Sequence, residues 1–264
     1  MSTTALKWVA LFLMLLDHVG EFFGPAAPLW LRWLGRLSAP LFLFCLAQGI
    51  EKTRSRPRYL KRLWIASSVM GIGSFVLNMI FAQAPVPISN NILSTMTLIV
   101  AIAWIYESFD GSDSRKDKLR DPEMALALFV GAQVLLIAAS LILRRAGMVW
   151  VRLFNALLPN LLFCEGSFTV VILGLLLYFL RKDRRWLSAG YGLYCFVQFF
   201  SSLGNALELG DLSYLFLRSY QWMMIASLPL MLLYNGRRGR GGGKIFYWFY
   251  PLHIWVLFLL ANLG

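Results

Sequence analysis

Asp17, His18, Arg32, Arg36, Glu165, Arg218 and His253 all fall inside apolar stretches of a 264-residue chain. Ionisable groups are costly in hydrocarbon, so those that are kept there usually face a bundle interior or water, and pair or do chemistry. His18 is the sharpest of them. An imidazole takes up and returns a proton near neutral pH, which suits a general base; the alternative is a histidine that bridges two helices by a hydrogen bond. Asp17 adjoins it in sequence but leaves a helix about 100° away, so it is badly placed to orient the His18 ring. Its natural partners are Arg32 and Arg36, one turn apart on a common face. His253 follows Phe249-Tyr250-Pro251-Leu252. A proline inside a span bends the helix and frees carbonyls, which can turn His253 into a bundle or mark only a packing kink. Tyr247, Trp248 and Tyr250 read as interfacial aromatics, and Glu165 and Glu208 as solvated groups near a boundary.

The elements that position these residues follow from composition. Apolar residues make up 59% of the chain and charged residues 14%, against about 45–50% and about 25% in soluble domains. Apolar runs of roughly 20 residues recur from end to end, each long enough to cross a bilayer core. The expected fold is all-α: a polytopic integral membrane bundle of about nine transmembrane helices in a single domain, 1–264. The spans fall at 5–23, 29–50, 60–81, 91–109, 124–143, 161–180, 186–207, 212–234 and 245–263. Asp17, His18 and Glu21 interrupt the first run, so it reads as a retained helix and not a cleavable signal. Cys45, Cys164 and Cys195 lie in apolar runs at no ligand spacing, so no metal site is expected. No P-loop, zinc-ligand cluster or nucleophile elbow is present, and Gly71-Ile72-Gly73 lacks the strand-to-helix setting of a dinucleotide site.

The net charge is +12. In a soluble protein that would suggest nucleic-acid binding, but here the basic residues sit between apolar runs, as the positive-inside rule requires. Lys52, Arg54, Arg56, Arg58, Lys61 and Arg62 form one group; Arg115, Lys116, Lys118 and Arg120 a second; Arg181, Lys182, Arg184 and Arg185 a third; Arg237, Arg238, Arg240 and Lys244 a fourth. The segments 24–28 and 82–90 hold none, and only 144–160 breaks the pattern, with Arg144, Arg145 and Arg152. Nine spans put the four basic groups on one side, making the N-terminus cytoplasmic and the C-terminus external. His18, Arg36 and Arg218 then fall about 5–7 Å outward of their span centres, and His253 near the midplane. The stretch 148–160 reads as an amphipathic helix in the outer interface or a re-entrant piece. Segment 239–243 is a glycine-rich flexible loop, and no internal repeat is visible.

Several runs of residues carry a family resemblance. Met14-Leu15-Leu16-Asp17-His18-Val19-Gly20 resembles the first-helix motif of the TraX family, and Leu34-Gly35-Arg36-Leu37-Ser38-Ala39-Pro40-Leu41-Phe42 its second-helix motif. Thr53-Arg54-Ser55-Arg56 through Tyr59-Leu60-Lys61-Arg62-Leu63 is similar to the basic loop that follows. Leu233-Tyr234-Asn235-Gly236-Arg237-Arg238-Gly239, Lys244 and Phe249 to His253 resemble the C-terminal signature. The middle of the chain, about 111 to 227, is similar only in hydropathy. One departure is that Gln48-Gly49 stands where the family usually has Glu-Gly, so no role can rest on a carboxylate there.

The family's namesake is associated with N-acetylation of conjugative pilin, and the family is similar to a wider set of transmembrane acyltransferases. The resemblance therefore implies a multi-pass protein of the bacterial inner membrane that takes an acyl group from cytoplasmic acyl-CoA, acetyl-CoA above all. It would deliver that group to an amine or hydroxyl of a peptide, glycan or lipid at the outer side. His18 would deprotonate the acceptor, with Asp17 and Arg36 beside it and Arg36 stabilising the oxyanion. His253 would be a second proton carrier or hold the pantetheine end. Arg54, Arg58, Lys61, Arg62, Lys244 and Tyr250 would bind the CoA, since arginine forks suit phosphate. The competing class is a non-enzymatic transporter, flippase or assembly factor for a cell-surface component, in which intramembrane charge is equally expected. Acceptor identity and oligomeric state are not written in the sequence.

Overall fold

Backbone polar groups have no water to bond in hydrocarbon, and helices satisfy them internally. The computed structural model describes residues 1–109, 118–239 and 245–263, and every regular element among them is helical. The chain divides into two compact units, residues 1–48 with 176–264 and residues 49–175.

The first unit contains α1 (Thr3–Phe22), α2 (Trp30–Gly35), most of α3 (Ser38–Lys52), the end of α8 (Ser167–Leu180), α9 (Arg184–Glu208) and the short α10 (Tyr214–Leu217). A 3₁₀ stretch (Gln221–Ser227), α11 (Leu228–Leu232) and α12 (Ile245–Leu263) complete it. Ser2 caps α1 by accepting from the Ala5 N–H at 3.2 Å. The loop after α11 closes the same end. The Thr3 and Thr4 N–H groups, which have no partner inside their own helix, donate to the carbonyls of Arg237 and Arg238 at 2.9 and 3.0 Å. Gly239, at φ +79°, packs so tightly against Ser2 and Thr4 that a side chain there would collide. The 233–239 motif thus has a structural task, the capping of α1.

The second unit holds α4 (Arg56–Ile80), α5 (Ile92–Phe109), α6 (Pro122–Leu143), α7 (Met148–Leu157) and most of α8. Its connections are tied by neutral amides. Asn78 brackets Ile88, accepting from its N–H and donating to its carbonyl, both at 2.9 Å. Asn160 donates to Ser140 at 2.9 Å and accepts from the Phe163 N–H at 3.0 Å. Arg56, 1% exposed, opens α4 and donates to both carboxylate oxygens of Glu107 on α5 at 2.7 and 3.1 Å. Removing one partner of a buried ion pair leaves an uncompensated charge. Glu107→Gln is therefore expected to cost about 3–5 kcal/mol, read as a lower thermal midpoint of the purified protein; an unchanged midpoint would show that the pair is energetically idle.

Among the described residues, five helical segments are long and apolar enough to cross a membrane: Trp30–Lys52, Arg56–Ile80, Ile92–Phe109, Pro122–Ala146 and Ile245–Leu263. The expected spans at 5–23 and 186–207 are also continuous helices, α1 and α9, of 20 and 25 residues, and both carry charge. Two expected spans have a different form. The one at 161–180 is helical only over the 14 residues of α8, because Gly166 and Ser167 have φ of 72° and 56° and a right-handed helix cannot pass through them. The one at 212–234 is broken into α10, the 3₁₀ stretch and α11. Side chains fix the break: Tyr191 on α9 donates to the Met224 carbonyl at 2.7 Å, and Trp222 to the Leu215 carbonyl at 3.2 Å.

Candidate functional site

The site lies in the first unit, where α1 meets α2 and α12, and where Arg32, Trp33 and Arg36 reach the broken segment that begins with α10. Two glycines let α1 and α2 approach. A Cβ at Gly35 would run into the Asp17 side chain, and one at Gly20 would lie 2.9 Å from Arg32 Cδ. Small residues at a helix crossing allow such contact, and here it brings carboxylates and guanidinium groups together. Arg36 Nη2 donates to both Asp17 carboxylate oxygens. Arg32 Nη1 lies 3.2 Å from Asp17 Oδ1 and donates to Glu21 Oε2 at 3.0 Å and to the Asp17 carbonyl at 3.1 Å. Two carboxylates and two guanidinium groups make a formally balanced network.

The broken segment completes it. Arg36 Nη1 donates to Gln221 Oε1 at 3.3 Å, and Arg32 Nε to the Tyr220 hydroxyl at 3.4 Å. The Arg36 guanidinium also stands 5.7 Å from the Tyr220 ring centroid, a cation–π distance. Trp33 donates to the Phe216 carbonyl at 2.9 Å and pins α2 to the same segment.

On the next face of α1, His18 and His253 meet. Both are buried, and His18 Nδ1 lies 2.8 Å from His253 Nε2. His253 Nδ1 lies 2.7 Å from the Phe249 carbonyl oxygen, one turn back along α12. A carbonyl only accepts, so His253 Nδ1 carries a proton, and in the neutral ring Nε2 is then an acceptor. His18 must therefore donate from Nδ1, which leaves its Nε2 with a free lone pair. Donation from His18 Nδ1 to His253 Nε2, and from His253 Nδ1 to the Phe249 carbonyl, fixes one tautomer of His18, the one that can take up a proton at Nε2. Phe249 stacks on His253 at 4.8 Å between centroids, and Phe22 lies 6.5 Å from the His18 ring.

Among the described residues, Asp17, His18 and Glu21 form a group with ligand atoms within 4.8 Å of one another. These ligand types suit a divalent cation, but Arg32 and Arg36 occupy the same carboxylates.

Of the residues singled out from the sequence, the structure brings Asp17, His18, Arg36 and His253 into this one site, with Arg32. Tyr250, also buried, has its ring 6.0 Å from that of His253. Arg54, Arg58, Lys61 and Arg62 are exposed and belong to the second unit, Arg62 standing 5.7 Å from the Tyr59 ring. Lys244 lies outside the described residues. Glu21, Tyr220 and Gln221 were not anticipated as site residues. The signal available for Glu21 was its spacing, one turn after Asp17 on the same helix face.

No solved structure matches the chain. It is 26% identical over 267 residues to a protein of Dichelobacter nodosus named probable fimbrial assembly protein FimC, serogroup H1, an alignment covering 97% of this chain and 94% of that protein. The family model described as TraX protein matches residues 2–115 and 119–261. That match takes in α1, α2, α12 and the segment between them that together build the site, and the chain belongs to the TraX family.

Proposed function

We propose that the chain is a membrane-embedded acyltransferase that moves an acetyl group from cytoplasmic acetyl-CoA to an amine or hydroxyl of an acceptor at the outer side of the bacterial inner membrane. The observation that carries this reading is the buried His18–His253 pair, which presents one unprotonated ring nitrogen in a fixed tautomer. His18 Nε2 takes the proton of the acceptor N–H or O–H as that atom bonds to the thioester carbonyl carbon. The C–S bond breaks, and the proton passes to the departing CoA thiolate. Arg36 and Arg32 offset the negative charge that develops on the carbonyl oxygen. The chain crosses the membrane nine times with its N-terminus in the cytoplasm, and the exposed basic group Arg54, Arg58, Lys61 and Arg62 binds the CoA phosphates.

A second reading, a non-enzymatic factor in the assembly of a surface component, is favoured by the name of the D. nodosus relative. Purified protein reconstituted with acetyl-labelled acetyl-CoA and a pilin N-terminal peptide separates the two. The enzyme transfers label to the peptide amine. The assembly factor binds or moves the peptide with no covalent change.

A further inference from the structure

The second unit has a recess of its own, which the proposed acyl transfer does not use. It is a shallow recess formed by the C-terminal half of α4, the 88–91 connection and α7, with about 290 Å³ of open space when the solvent at its mouth is counted. Its wall is polar where a membrane protein's core is normally apolar: Ser74, Asn78, Ser89, Asn90, Asn91 and Arg152 all line it.

Two of these groups lack partners. Asn91 donates from Nδ2 to the Ser67 carbonyl and hydroxyl at 3.1 and 3.2 Å, while its buried Oδ1 accepts nothing among the described residues. An unmet buried acceptor is expensive, and most such groups have a partner. Arg152 is half-buried and makes no ion pair or hydrogen bond among the described residues. It is also one of the arginines that break the charge asymmetry of the chain, so the positive-inside rule does not account for it. A guanidinium and an unmet buried acceptor in the wall of one recess ask for a ligand that carries both an anion and a hydrogen-bond donor.

The surroundings say where that ligand comes from. α7 buries Val151, Asn155 and Ala156 and leaves Met148 and Trp150 42% exposed. Trp150 packs on Phe75 of the recess wall at 5.0 Å between centroids. A short helix with an exposed apolar face and a tryptophan sits at the level of lipid headgroups. We propose that the recess binds the phosphate-bearing headgroup of a membrane phospholipid, with Arg152 on the phosphodiester and Asn91 Oδ1 accepting from the headgroup's ammonium or hydroxyl.

The test reads binding and needs no acyl transfer, so its failure is distinct from failure of the enzymatic reading. Full-length protein is purified in a nonionic detergent and stripped of lipid. Phosphatidylethanolamine, phosphatidylglycerol, diacylglycerol with the same chains, or glycerol 3-phosphate is then added. Bound lipid is measured by native mass spectrometry and stabilisation by thermal unfolding. The two phospholipids are expected to bind and stabilise, and diacylglycerol and glycerol 3-phosphate to do neither at equal concentration. Arg152→Gln is expected to weaken phospholipid binding about tenfold or more. Arg152→Lys is expected to lie between, and exposed Arg145→Gln to behave as wild type. Equal binding of diacylglycerol by the wild-type protein overturns the proposal with no variant needed. So does a monodisperse Arg152→Gln protein that binds phospholipid as tightly as wild type. Glycerol 3-phosphate binding as tightly as the lipids would overturn the membrane source and make the recess a site for soluble phosphate esters.

Discussion

His18→Ala is expected to lower acetyl transfer by about 10²–10⁴-fold, the range for loss of a positioned general base, with the protein still monodisperse and its thermal midpoint lowered by the lost buried bond to His253. The measurement is transfer of label from acetyl-CoA to the peptide amine by reconstituted protein. His253 gives the sharper comparison because its role is indirect. With His253→Ala the His18 Nδ1–H loses its acceptor, and the ring is free to adopt the other tautomer. With His253→Gln a side-chain carbonyl can accept the same bond. Activity is expected to fall in the alanine variant and to recover in part in the glutamine variant. A purely structural pair would show the same recovery in the thermal midpoint and none in the rate. Wild-type transfer by a folded His18→Ala protein would remove His18 from the chemistry.

The histidine pair also shows what the sequence could and could not convey. Asp17, His18, Arg32, Arg36 and His253 stood out because each is an ionisable group in an apolar run, and the free-energy cost of that placement is independent of the fold. The structure puts these five in one site; of the two others singled out on the same ground, Glu165 belongs to the second unit and Arg218 is exposed. What the sequence lacked was the bond between His18 and His253, separated by 235 positions in sequence. Only the packing of α12 on α1 creates it. Tyr220 and Gln221 escaped for a different reason. Neutral polar side chains in a long apolar run look like interfacial residues, and the run at 212–234 was hydrophobic enough to be taken as one helix. The hydrogen bonds of Tyr191 and Trp222 that break it are side-chain matters with no periodic signature.

The same limit explains Arg56. Counted among loop cations, it is in fact the first residue of α4 and pairs with Glu107. Pro57, a residue suited to the first turn of a helix, was the available sign that the helix began before the apolar run did. Gly166-Ser167 likewise makes the helix of one expected span begin late through backbone conformation, which hydropathy does not register. Sequence located the costly groups and the long apolar helices; the backbone breaks and amide ties that aim them depend on tertiary packing.

Asp17→Asn is expected to be the most destabilising change in the site. Asp17 is the anion shared by Arg32 and Arg36, with the three side chains 12–21% exposed. Neutralising it leaves Glu21 as the sole carboxylate for two guanidinium groups, at a cost of about 3–5 kcal/mol by analogy with other broken buried pairs. Glu21→Gln should cost less, because Arg32 keeps its contacts with the Asp17 carboxylate and carbonyl. Arg36→Gln added to Asp17→Asn should restore part of the loss, since it removes the stranded charge; the coupling, read from the four thermal midpoints, isolates the pair. Gly35→Ala reaches the same network without touching a charge, because its Cβ would displace the Asp17 side chain. Its midpoint is expected to fall toward that of Asp17→Asn. Additive losses in the double variant, or a stable Asp17→Asn protein, would mean that the arginines find other counter-charges and that close α1–α2 packing, not ion pairing, holds His18 in place.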